Sequence, residues 1–241
     1  MRAFAELPSN VWCVGGSPDA IAPPGDFSRT LHAALFRNPM GLGPADYRSS
    51  ERVRPVQSVY LGAWRPGVLQ TLGGFDPGWQ ANEDAELAER IRRAGGIVYR
   101  VPARCSKLIT RSASAAVKQW TRYGFWRAQT FKRNPSAMRL RHVAPPVVLL
   151  ALAALAASPV WWAIGPIAFA HACAVIAYRP RHQTLAITFA SVLYFPIVHV
   201  GYALGLIAGA LIPQRKATKP AAAGMFSGIR GPLTATDPES P

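Results

Sequence analysis

The 241 residues are 50% hydrophobic and carry a formal charge of +15 at pH 7, with 27 Lys or Arg against 12 Asp or Glu. Cys13, Cys105 and Cys173 are odd in number, widely spaced and without His or Cys at ligand spacing, which excludes a disulfide framework and a zinc site and fits free thiols in a reducing compartment. Residues 143–212 are almost free of charge, so the chain divides into a soluble part of roughly 140 residues, a membrane-embedded block and a short tail.

No basic segment and apolar core follow Met1, so no signal peptide is expected to open the chain. Residues 1–9 read as the end of a helix stopped by Pro8, and Asn10–Val14 as a short strand running into Gly15-Gly16. Residues 17–50 are rich in Gly, Pro, Ser and Asp, with one helix expected over Phe27–Phe36 and a binding loop over GLGPADYRS (41–49). Val56–Ala63 alternates apolar and polar residues as a strand does, and Val68–Leu72 makes a helical turn.

The richest stretch is GGFDPGWQANEDAELAERIRRAGG, residues 73–96. Gly73-Gly74 and Asp76-Pro77-Gly78 are turn sequences, and Asn82 is a suitable N-cap for a helix that starts at Glu83. Glu83, Asp84 and Glu86 suit the positive end of the helix dipole, and Arg90, Arg92 and Arg93 the negative end. Glu86/Arg90 and Glu89/Arg93 are i,i+4 pairs, Leu87 and Ile91 form the buried stripe, and Gly95-Gly96 supplies the left-handed stop. All of this suits an ordinary surface helix. What adds a functional reading is position: two carboxylates, Glu83 and Asp84, stand where a glycine-rich, aromatic loop meets a helix, a common place for a base or a ligand.

Ile97–Val101 reads as a strand that Ala103–Ile109 continues or pairs with. Ser112 is the expected N-cap of a basic, aromatic helix over residues 113–133, suited to the headgroup interface. The many Arg and Lys between residues 90 and 141 run straight into the apolar block, so the positive-inside rule and membrane lipids explain them better than nucleic acid does. Transmembrane helices are expected at about 143–158, 160–178 and 185–212, since about 20 residues cross the hydrocarbon core. Arg179-Pro180-Arg181 and Gln214-Arg215-Lys216 both ask for the cytoplasmic side, which three crossings do not satisfy. The tail, 213–241, is expected to be disordered.

The order Val14-Gly15-Gly16, GLGPADYR, YLGAWRPGVLQTLGGFD, NEDAELAERIRRAGG and QWTRYGFWR resembles the second half of a family 2 glycosyltransferase, most closely the membrane-anchored, succinoglycan-type exopolysaccharide branch. The resemblance implies an α/β fold: a partial GT-A (nucleotide-diphospho-sugar transferase) domain over residues 1–141 that lacks the N-terminal nucleotide-binding half, followed by the transmembrane helices. It implies a cytoplasm-facing, multi-pass inner-membrane enzyme that moves a sugar from a nucleotide-sugar donor to a lipid-linked or polysaccharide acceptor with inversion. Asp84 takes the place of the family's general base, with Glu83 beside it. Gly73, Gly74, Phe75 and Asp76 would line the acceptor side. The family's Gln-x-x-Arg-Trp pattern stands here as Gln119, Arg122 and Tyr123, where Tyr for Trp favours a single addition over a processive polymerase.

That family holds a Mg²⁺ or Mn²⁺ ion with an Asp-x-Asp motif, and no Asp-x-Asp occurs in this sequence. The nucleotide contacts are therefore expected from a partner polypeptide or a longer reading frame. The alternative reading is a catalytically inactive truncated remnant or partner subunit of such an enzyme.

Overall fold

The computed structural model describes residues 2–42, 53–79 and 81–213. Most of the loop expected at 41–49, and the tail beyond residue 213, lie outside the described residues. In chain order the elements are α1 (Arg2–Ala5), β1 (Val11–Ile21), α2 (Phe27–Arg37), α3 (Pro39–Leu42), β2 (Arg54–Pro55), β3 (Tyr60–Trp64), α4 (Val68–Thr71), α5 (Glu83–Arg93), β4 (Ile97–Leu108), α6 (Ala113–Arg133), α7 (Leu140–Ala156), α8 (Ile164–Ala177) and α9 (Leu185–Leu211). The fold is mixed α/β.

The sheet has the order β2-β4-β1-β3, with β1 parallel to β4 and antiparallel to β3. β1 runs well past the short strand expected from Asn10–Val14. Its partner is what carries it through a sequence of turn-forming residues: Val11 pairs with Ile97 and, after a bulge at Gly15/Ser17, Ile21 with Leu108. The two glycines are there for space rather than for a turn. A Cβ on Gly15 would lie 2.4 Å from Val59 Cβ, and one on Gly16 would lie 2.2 Å from the Ala103 carbonyl oxygen. β4 is correspondingly one strand of twelve residues, not two.

Helix α5 covers one face of the sheet with Leu87 and Ile91, which pack with Cys13, Val56, Val59 and Val98. Its end is as expected: Gly95 takes a left-handed φ of +88°, and Gly96 lies so close to Trp12 that any side chain there would collide. Its start differs. Asn82 is left-handed (φ 61°, ψ 25°), and its side chain makes no capping bond. That backbone turns the amide group away from the helix. Nδ2 donates to the Tyr123 carbonyl and Oδ1 accepts from Arg127 Nη2, both at 3.2 Å, so Asn82 ties α5 to α6 instead of capping α5.

Helix α6 begins at the expected Ser112 cap, whose Oγ accepts from the Ala115 amide. It is not an isolated interfacial helix, because it lies alongside α9. Gly201, Gly205 and Gly209 form a ridge of glycines on α9, one turn apart. A Cβ at Gly205 would meet the Thr121 carbonyl oxygen at 1.9 Å, one at Gly209 the Phe125 carbonyl oxygen at 2.4 Å, and one at Gly124 of α6 the Tyr202 carbonyl oxygen at 2.1 Å. The two backbones touch, which only residues without side chains permit. Leu31 and Leu35 of α2 extend the same contact, packing on Ile187, Tyr194, Phe195 and Val198 of α9. The compositional boundary near residue 141 is therefore not a boundary in packing.

Of the three expected spans, α9 is the one helix among the described residues that is long and apolar enough to cross a membrane. Leu140–Ala156 and Trp161–Ala177 are apolar but shorter. Replacing Gly205 with Leu should force α6 and α9 apart and cost about 1–3 kcal/mol or more, as overpacking does. Gly165→Ala, where an added Cβ meets nothing within 4 Å, should leave stability unchanged or slightly higher. Thermal unfolding of the two variants in detergent checks the contrast.

Candidate functional site

A large cavity of about 1560 Å³ opens between the α/β part and the apolar helices. Its polar end is lined by Glu83 and Asp84 at the start of α5, by Gln119, Arg122, Tyr123 and Arg127 on one face of α6, and by Arg141 at the start of α7. Its apolar end is lined by Val148, Leu149 and Leu152 of α7, Ile167 and Ala168 of α8, and Val192 and Pro196 of α9. Glu83 and Asp84 are the only carboxylates among the lining residues, against seven Arg or Lys. The walls therefore favour an anion at one end and a hydrocarbon at the other.

Asp84 reaches this cavity because the left-handed Asn82 fixes where α5 begins. Its Oδ1 accepts the Ala85 amide at 2.7 Å. Water can reach the carboxyl, yet protein surrounds it on most sides, and this loss of solvation raises its pKa. Glu83 next to it pushes the same way, while the Ala85 amide and the Arg127 guanidinium oppose the shift. A carboxylate whose pKa is raised in this way is a better proton acceptor than an ordinary aspartate.

Gln119 Nε2 donates to Tyr123 Oη at 2.7 Å across one turn of α6, and the Tyr123 ring meets Trp120 edge to face with centroids 5.2 Å apart. Arg141 Nη2 donates to Gln57 Oε1 at 3.1 Å. Gln57 Nε2, Trp120 Nε1 and His142 Nδ1, all on lining residues, are buried without a hydrogen-bond partner among the described residues. Buried polar nitrogens of this kind suit a ligand rich in acceptor oxygens.

The expected site residues thus fall into two groups. Glu83, Asp84, Gln119, Arg122 and Tyr123, some 35 residues apart in sequence, come together around one cavity. Gly73, Gly74, Phe75 and Asp76 are not among its lining residues. Gly73 and Gly74 take left-handed φ values of 76° and 70°, and the Leu72 and Gly74 carbonyls accept from Arg90. Phe75 stacks edge to face on Trp64. Asp76 accepts the Gly78 amide and pairs with Arg133 Nη1 at 2.8 Å, and the same guanidinium lies 4.0 Å from the centre of the buried Trp79 ring. This segment braces the loop before α5 rather than facing the cavity.

Sequence reasoning did not single out Arg127, Arg141, His142 or Tyr202 as site residues. The signal that leads to them is the GYALGLIAG spacing of Gly201, Gly205 and Gly209, which marks a close helix contact and so brings α9 beside α6. Cys13 is buried, and desolvation pushes its thiol up to about 12, which leaves it inert as a nucleophile.

No family model, curated protein or solved structure matches this chain.

The two acidic residues should respond differently to removal of charge. Folding disfavours the ionised form of Asp84, so stability falls as pH rises from the ordinary aspartate range through the raised value, and at neutral pH the charge is a net cost. Asp84→Asn should therefore leave the melting temperature at pH 7 unchanged or higher. Asp76→Asn should lower it, by about 1–3 kcal/mol of stability, because it removes a buried carboxylate that pairs with Arg133 at 2.8 Å. Melting curves of both variants at pH 7 check this.

Proposed function

We propose that the chain is the acceptor-side half and membrane anchor of a family 2 glycosyltransferase with a GT-A-type fold, acting at the cytoplasmic face of the inner membrane in cell-envelope or exopolysaccharide synthesis. The observation that carries this reading is the cavity that joins the Asp84 carboxylate and a set of arginines to an apolar recess between α7, α8 and α9. A polysaccharide acceptor has no use for such a recess; a lipid-linked acceptor does.

In this reading Asp84 removes the proton from the acceptor's attacking oxygen as that oxygen displaces the nucleoside diphosphate from the sugar's anomeric carbon. The raised pKa supports that role, since a base is most effective when its pKa approaches the working pH. Arg122, Arg127 and Arg141 balance the charge of phosphate on the acceptor or leaving group, and Gln119 and Tyr123 hold its hydroxyls. Glu83 raises the basicity of its neighbour.

The Mg²⁺ or Mn²⁺ ion of the family does not fit the residues described. Among them no group of three or more His, Cys, Asp or Glu side chains is placed to hold an ion, and the adjacent Glu83 and Asp84 are the only carboxylates among the described residues that line the cavity. No step is therefore assigned to a metal. The nucleotide-sugar donor is assigned to residues outside this chain, on a partner polypeptide or an extension of the same one.

The test is transfer from a panel of radiolabelled nucleotide sugars to a polyprenyl diphosphate-linked sugar, whose free hydroxyl supplies the attacking oxygen and the proton that Asp84 removes, by the protein purified in detergent together with the polypeptide that binds the donor. Asp84→Asn should lower turnover by about 10²–10⁴-fold while lipid-phosphate binding and membrane insertion persist. Retained turnover would remove Asp84 from the mechanism. The acid limb of the wild-type pH profile should lie above the ordinary aspartate range, with activity lost as pH falls through it.

A further inference from the structure

We infer that α9, despite its length and composition, does not cross the membrane. It lies in the plane of the bilayer surface, and the α7–α8 hairpin is the only part of the described chain that enters the hydrocarbon.

The first observation is that both ends of α9 are fastened to the α/β part. At its start, the segment linking it to α8 meets α2, where Arg37 Nη1 and His182 Nε2 lie 3.2 Å apart. At its end, Gln129 Nε2 donates to the Gly209 carbonyl at 2.9 Å, and Lys132 Nζ donates to the Ile212 carbonyl. A helix of 27 residues is about 40 Å long at ~1.5 Å per residue. A crossing would carry one end away from the domain to the far side of the membrane, yet both ends touch it.

The second observation is what lies beside it. α6 runs parallel to α9, from Tyr194 Oη donating to the Ala113 carbonyl at one end to the Gly209 contact at the other. The glycine seam locks the two backbones together between these points. α6 carries Lys118, Arg122, Arg127, Lys132 and Arg133. If α9 spanned the bilayer, these cations would enter it too, with no carboxylate on α6 or α9 to compensate.

The third observation is the exposed face. Leu185, Phe189, Ile197 and Leu204 lie along one side of α9, each at least 54% exposed, and Leu193 and Val200 on the same side also border the mouth of the cavity. The opposite face, through Thr188, Ser191, Gly201, Gly205 and Gly209, is buried against protein. One apolar stripe facing out and one face packed inward is the form of an interfacial helix. Arg179 and Arg181 precede it and Arg215 and Lys216 follow it in sequence, so both ends suit anionic headgroups on the same side. The conflict that three crossings created is removed. The α7–α8 hairpin stands on feet at Arg141–Gln57 and Asn38–Val175, and it exposes Trp161 and Trp162 at its tip, each 63% accessible.

The test places protease-cleavable tags at both ends of the full chain in membrane vesicles of known sidedness. The expected result is cleavage of both tags from the same side. Cleavage from opposite sides overturns the proposal. As a second readout, Gln183→Cys and Pro213→Cys, each in a background with Cys13, Cys105 and Cys173 replaced by Ser, should both react with an impermeant maleimide from the side that bears the N-terminal tag. Reaction from opposite sides overturns it, as does recovery of the chain as a soluble dimer after alkaline extraction, which would mean that a second copy covers the stripe.

Discussion

The structure depends on one contact, the approach of two helix backbones where Gly201, Gly205 and Gly209 of α9 meet Thr121, Gly124 and Phe125 of α6. Helices with ordinary side chains at the interface pack about 8–10 Å apart, and only glycine at successive turns lets carbonyls of one helix rest against Cα atoms of the other. Both sides of this contact have a role elsewhere. α6 supplies Gln119, Arg122, Tyr123 and Arg127 to the cavity, while α9 supplies Val192, Pro196, His199 and Tyr202. Fixing their contact fixes where these two sets of lining residues stand relative to each other.

From that seam the coupling runs to the carboxylates. Arg127 and the Tyr123 carbonyl, both on α6, hold Asn82, and Asn82 sets the position at which α5 begins. Asp84 is two residues further on. The loop that leads into Asn82 is braced separately, by Arg133 at the end of α6, which pairs with Asp76 and covers the Trp79 ring, itself 5.4 Å from Trp126. One helix therefore orients the proposed base, the cations and the aromatic wall. The apolar helices are attached to the same piece, so the polar and hydrocarbon ends of the cavity are held in register.

Much of this was legible in the sequence wherever local chemistry decides the outcome. The limits of α5, the Ser112 start of α6 and the helix at Phe27 follow from caps, charges and periodicity, and all three stand in the structure. What local pattern misread was decided at a distance. The first strand looked short, Asn10–Val14 running into Gly15-Gly16, because the neighbours that need these glycines' missing side chains, Val59 and Ala103, lie tens of residues away. Asn82 looked like a cap because asparagine usually is one; its left-handed backbone is stabilised by partners on α6. Of the three crossings expected in the 143–212 block, α9 alone among the described residues has the length and composition for one, and hydropathy does not see that one of its faces is covered by α6. Of the candidate site, the Glu83-Asp84 pair and the Gln119-Arg122-Tyr123 face were visible, whereas Arg141 and the apolar recess depend on where α7 and α9 settle.

We propose that one amphipathic ligand occupies the whole cavity, its phosphate among the arginines near Asp84 and its chain between the apolar helices. The most direct measurement is photo-crosslinking with a polyprenyl phosphate that carries a diazirine in its chain, followed by mass-spectrometric mapping of the adducts. The account predicts labelling of cavity residues such as Leu149, Leu152 and Val192, displaced by unlabelled polyprenyl phosphate. Labelling confined to the outer stripe at Phe189 and Leu204, unaffected by that competitor, would contradict it.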